Sequence, residues 1–218
     1  MVGVEPLRVA PEELTDIRLA ATPPRPAVEG VAGRSSHVPG EPGVWVLILG
    51  DMTVFALLFG VYLHCRAEDP ALFHASQLGL NQTYGVINTL LLLSSSLCVV
   101  TGVRAIRHRI AHVAPAMFAA AWLCGLGFVV NKYLEYSDKL AHGIKPATND
   151  FWMYFYVLTG LHLVHLLLGM VVLALCFVQS RRPTLDARRF GFVEGGACFW
   201  HMVDLLWIVL FPLLYLVK

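Results

Sequence analysis

Residues 151–178, FWMYFYVLTGLHLVHLLLGMVVLALCFV, hold no acidic or basic side chain apart from two histidines. A run of this length exceeds the roughly 20 apolar residues that cross a bilayer core of about 30 Å. Backbone groups in lipid must find partners within the segment, so the run is expected to be a helix. Four more runs of this kind lie along the chain, at Val44–His64, Gly85–Val103, Val113–Leu134 and Gly195–Val217. None alternates with the period of two that marks the strands of a membrane barrel. The expected fold is an all-α integral membrane protein, a bundle of five transmembrane helices over residues 44–218.

Composition agrees. Of 218 residues, 57% are hydrophobic and 14% charged, where a soluble domain carries about a quarter charged. The mean hydropathy is +0.65. A net charge of +1 gives no electrostatic footprint for nucleic acid. Residues 1–43 differ from the rest, holding seven of the twelve prolines and scattered charges of both signs. They carry no apolar core of a signal peptide and are expected to form a disordered tail. The five cysteines (Cys65, Cys98, Cys124, Cys176, Cys198) lie in or beside apolar runs and form no C-x-x-C pair. They are expected to pack as small apolar side chains.

Lysine and arginine counts set an expected orientation. Eleven fall on one side of the spans: Arg8, Arg18, Arg25, Arg34, then Arg104, Arg107, Arg109, then Arg181, Arg182, Arg188, Arg189. Five fall on the other: Arg66, Lys132, Lys139, Lys145 and Lys218. The positive-inside rule then places the N-terminus in the cytoplasm and the C-terminus outside. Trp45, Tyr62, Tyr84, Tyr133, Tyr136, Phe151, Trp152, Tyr154 and Tyr215, near the ends of the runs, are expected interface anchors.

Five ionisable residues fall at membrane depth: Asp51, His162, His165, His201 and Asp204. A charge at the helix centre costs about 2.5–3.5 kcal/mol or more, so each needs a reason. His162 and His165 are three apart, as are His201 and Asp204, so each pair shares a helix face. Three readings stand open. The groups pair across helices and fix their register; they handle protons; or His162 or His165 faces His201 across a haem, as in a small b-type cytochrome. A proton-coupled transporter using Asp51 and Asp204 is a further alternative, although no inverted repeat is present. Asn88 and Thr89 are expected to hydrogen-bond between helices. Glu135 is expected to be a solvated residue at the end of the third span. No phosphate loop, dinucleotide motif or H-E-x-x-H zinc motif occurs, and no nucleophile sits with a base. No catalytic residue and no metal ligand is assigned.

The polar residues fall in a recognisable order. Residues 151–170, FWMYFYVLTGLHLVHLLLGM, carry F-x-x-x-T-G-x-H-x-x-H-x-x-x-G, and residues 194–207, EGGACFWHMVDLLW, carry E-x-x-x-x-x-W-H-x-V-D-x-x-W. With NTLLLLSSSL at 88–97 and LILGDMTVF around Asp51, the chain resembles subunit III of the haem–copper (cytochrome c) oxidases over residues 41–218. It lacks the first two of the seven helices of the mitochondrial type, and has Asp51 where the long forms carry glutamate. The stretches GEPGVWVLILGDM (40–52) and HMVDLLWIVLFPLLYL (201–216) look most like the five-helix branch associated with nitric oxide reductase.

The resemblance implies a non-catalytic accessory subunit beside a catalytic, haem-containing membrane subunit, most simply that of nitric oxide reductase. The alternative is subunit III of a five-helix cytochrome c or quinol oxidase. It implies the bacterial inner membrane, haem only in the partner, no cofactor on this chain, and bound phospholipid. Lipid sites of the long forms' cleft do not transfer, since one wall is missing. Asp51 matches the membrane carboxylate that reacts with carbodiimides in the long forms. His162, His165, His201 and Asp204 match the family's intramembrane polar set. Asn88, Thr89, Glu135, Trp200 and Trp207 match structural positions, and Glu194 matches the acidic residue that opens the last helix.

Overall fold

A computed structural model describes residues 42–108, 110, 112–182 and 186–217. Among these are six α-helices, one π-helical turn and no strand. The expected disordered tail lies outside the described residues, except that Pro42 and Gly43 already belong to the first helix.

The helices are α1 (Pro42–Glu68), α2 (Pro70–Leu78), α3 (Gln82–Arg107), α4 (Val113–Ala141), α5 (Asp150–Ser180) and α6 (Ala187–Phe211), which runs into a π-helical turn at Pro212–Leu216. All but α2 are long and apolar enough to cross a membrane, with the last span including the π turn. The chain is therefore a multi-pass membrane protein. The short helix α2 was not expected. Its signal is nonetheless present: Asp69 accepts from the Leu72 amide at 3.1 Å and Pro70 occupies the first turn, the usual start of a helix.

Burial explains how the spans pack. Helix α4 buries Ala121, Gly125, Phe128, Lys132, Glu135 and Lys139. Helix α3 buries Gly85, Asn88, Leu92, Ser95, Val99 and Gly102. These alternate steps of four and three are the heptad repeat of helices packed side by side. Small residues in the seams let the backbones approach. Helices α3 to α6 form a four-helix core in which α6 is the most enclosed. Helix α1 sits outside it. It buries Ile48, Phe55 and Tyr62, one residue per heptad, and is the least buried of the five spans.

Two spans are longer than the hydropathy suggests. Helix α4 continues seven residues past Leu134, and α6 begins at Ala187, well before Gly195. Helices continue through charged residues when those residues have partners to face, which hydropathy does not register. Several expected interface anchors are also inside. Tyr62, Phe151, Trp152 and Tyr215 are almost fully buried. They form edge-to-face contacts with Phe73 and Phe155, an arrangement favoured by the ring quadrupole. Tyr133, 71% exposed, keeps the position of an anchor.

Candidate functional site

The five intramembrane residues do not converge on one site. His165 turns to α1, where its Nε2 lies 3.4 Å from Asp51 Oδ2. Its Nδ1 is 2.8 Å from the Leu161 carbonyl. A carbonyl only accepts, so Nδ1 carries a hydrogen, and Nε2 is the nitrogen turned to Asp51. Both side chains are partly exposed on the bundle surface, at 15% and 23%. This pair joins α1 to α5 at membrane depth.

His162 turns the other way. It is fully buried, packed against Phe128 and Trp207 with ring centroids 5.5 and 5.3 Å away. Neither ring nitrogen meets a hydrogen-bond partner among the described residues. His201, on α6, shares a 2.6 Å hydrogen bond between its Nδ1 and Ser96 Oγ on α3. Asp204, one turn on, is buried beside the same serine, although no well-formed hydrogen bond closes on either carboxylate oxygen. The geometry thus gives the Nδ1 of His201 a serine partner on α3. Among the described residues no three of His, Cys, Asp and Glu gather around a point that would hold a metal ion.

Asn88 and Thr89 do bond between helices. Asn131 on α4 donates to Asn88 Oδ1 at 2.8 Å and to the Tyr84 carbonyl at 2.9 Å. Thr89 donates to the Gly85 carbonyl and accepts the Trp207 indole N–H at 3.0 Å. Trp200 is buried between α4 and α5, against Gly125 and Gly169. Glu194 lies two turns inside α6 rather than at its start, and accepts from Arg107 of α3 at 2.5 Å with 2% of its side chain exposed.

The largest correction concerns Glu135. It is not solvated; its side chain is wholly buried. Lys132 Nζ donates to Glu135 Oε2 at 2.7 Å and to the Tyr215 hydroxyl at 3.1 Å. Tyr215 in turn donates to Glu135 Oε1 at 2.6 Å. The rings of Phe155, Tyr136, Trp207 and Tyr215 surround the ammonium at 4.7, 5.3, 5.4 and 5.7 Å, each adding a cation–π attraction. Lys132 was counted as an outer-loop charge. Its spacing was the missed signal, because Phe128, Lys132, Glu135 and Lys139 continue the buried heptad of Ala121 and Gly125.

The order of these polar positions along the spans can be compared with known proteins. The sequence profile of the family described as Cytochrome c oxidase subunit III matches residues 40–218. Cytochrome c oxidase subunit 3 of Synechocystis sp. is 32% identical over 195 residues, covering 84% of this chain and 82% of that one. The protein of the same name from a Bacillus sp. is 26% identical, covering 95% and 97%. Cytochrome bo(3) ubiquinol oxidase subunit 3 of Buchnera aphidicola is 25% identical, covering 80% and 84%. With the match spanning every membrane helix, the chain belongs to the cytochrome c oxidase subunit III family.

Proposed function

We propose that this chain is a non-catalytic subunit III of a haem–copper respiratory oxidase in a bacterial inner membrane. The observation that carries this reading is the family match across all five spans. The geometry agrees with it, because the polar residues mostly cross-link helices instead of lining a substrate site. Haem and copper would belong to the catalytic membrane subunit, and this chain would bind neither. Its tasks would be to support that subunit, to hold lipid at its surface, and to buffer protons at Asp51–His165. The Arg-rich end, with Arg104, Arg107, Arg181 and Arg182, would face the cytoplasm, with the C-terminus outside.

The narrower reading pairs the chain with nitric oxide reductase. It rests on the two stretches 40–52 and 201–216 alone. The relatives above carry oxidase names, for cytochrome c or ubiquinol, which favours the oxygen-reducing partner. One experiment addresses both readings. Tagged protein is drawn from its native membrane in mild detergent, the eluate's absorption spectrum is recorded, and co-purifying chains are identified. A haem-containing oxidase subunit in the eluate is the expected result. Nitric oxide reductase subunits would replace it under the narrower reading. A chain that elutes alone with its own haem would end both.

A further inference from the structure

The last described residues hydrogen-bond to α1, α2, α3 and α4 and touch α5 through a ring contact. Helix α6 stops at Pro212, which has no amide hydrogen to continue the ladder, and the chain makes one π turn, closed by Val217 N donating to the Pro212 carbonyl at 2.9 Å. A helix end leaves its final carbonyls without partners. Here four side chains from three helices supply them. Tyr62 and Arg66 of α1 donate to the carbonyls of Leu213 and Val217, at 3.4 and 2.7 Å. Gln77 of α2 donates to that of Leu214 at 3.0 Å, and Gln82 of α3 to that of Tyr215 at 3.1 Å. The Tyr215 side chain completes the network with α4 by bonding Lys132 and Glu135, and its ring meets Phe155 of α5.

Two of the elements that the segment binds, α1 and α2, are also the least secured. Helix α1 has a single narrow seam on the core. Helix α2 has nine residues, with Phe73 and Gln77 as its buried side chains, and a helix that short is marginal by itself. Before the segment 213–217 docks, Gln77 and Gln82 lack their acceptors and the Lys132–Glu135 pair lacks its bridging hydroxyl.

We infer that residues 213–217 are a strap, which closes over the bundle and fixes α1 and α2 to the four-helix core, with the Lys132–Glu135 pair as its buried receptor. Closure converts a core with two loose neighbours into the complete fold. The bonds run to main-chain carbonyls at four positions, so the strap works through backbone geometry. Leu214 and Tyr215 add buried side chains, and Tyr215 is the one that bonds the receptor pair.

Two proteases test this on the 218-residue chain in lipid nanodiscs, tagged at the N-terminus. Carboxypeptidase trims the strap, and trypsin reports on α1 by cleaving after Arg66, which the strap holds at Val217. In the unsubstituted protein, trimming past Tyr215 should be slow, and cleavage after Arg66 should rise only as trimming proceeds. In Gln77→Ala/Gln82→Ala, trimming past Tyr215 should be about tenfold faster, because proteolysis follows the population of the open form. Two results overturn the strap: an Arg66 cleavage rate that stays constant while 213–218 are removed, or equal trimming rates in both proteins. The time course in the unsubstituted protein decides the matter even where the variant fails to fold.

Discussion

Lys132 and Glu135, one turn apart on α4, form an ion pair at 2.7 Å in which neither side chain is exposed. Replacing one partner leaves the other charge buried and alone, which costs about 3–5 kcal/mol. Glu135→Gln and Lys132→Met should each lower the midpoint of detergent denaturation strongly. The double variant Lys132→Met/Glu135→Leu should lose less than the sum of the singles, since it leaves no lone buried charge, with the Tyr215 hydroxyl as the group left without its two partners. A loss in the double variant equal to the sum of the singles would show that the two side chains do not interact.

Asp51 and His165 should behave differently. Their contact is longer, at 3.4 Å, and both are partly exposed. Polar contacts between membrane helices average about 0.6 kcal/mol and reach about 1.7. Asp51→Asn should therefore leave the denaturation midpoint close to that of the unsubstituted protein. If the pair buffers protons, the effect should appear instead in the turnover of the assembled complex, measured against pH.

His162 sets up the opposite expectation for stability. A buried polar group without a hydrogen bond costs about 1–3 kcal/mol, and both of its ring nitrogens are in that position among the described residues. His162→Phe keeps a ring against Phe128 and Trp207. It should be at least as stable as the unsubstituted protein in the same denaturation assay.

The glycines separate into two kinds. A Cβ on Gly169 would lie 2.7 Å from the Trp200 ring, and one on Gly196 would lie 2.7 Å from Val172. Overpacking of this sort costs about 1–3 kcal/mol, so Gly169→Ala and Gly196→Ala should destabilise. Around Gly60 nothing lies within 4 Å. Gly60→Ala should stabilise by up to about 1 kcal/mol, the helix-propensity difference. Thermal melts in one detergent compare all three.

Thr89→Val is nearly isosteric but removes the acceptor of the Trp207 indole N–H. An unsatisfied buried donor costs about 1–3 kcal/mol. The melt of this variant should fall by that order, and Trp207→Phe in the same background should add less than it does alone.

The five spans were legible in the sequence because lipid offers the backbone no partners, so any apolar run of sufficient length must be helical. The order of polar residues from Asp51 to Asp204 was legible too, and it pointed to the family. The partners of those residues were not. His162 and His165 share a face by spacing, yet three residues at 100° each leave them about 60° apart. That is enough to send one to α4 and α6 and the other to α1. Lys132 and Glu135 looked like the charged edge of a span, because hydropathy counts charges without asking what they face. Only the packed bundle brings Tyr215 from 80 residues away to bridge them. A sequence read along one helix fixes depth and angle. Which neighbour stands at that angle is decided by the packing of all the helices together.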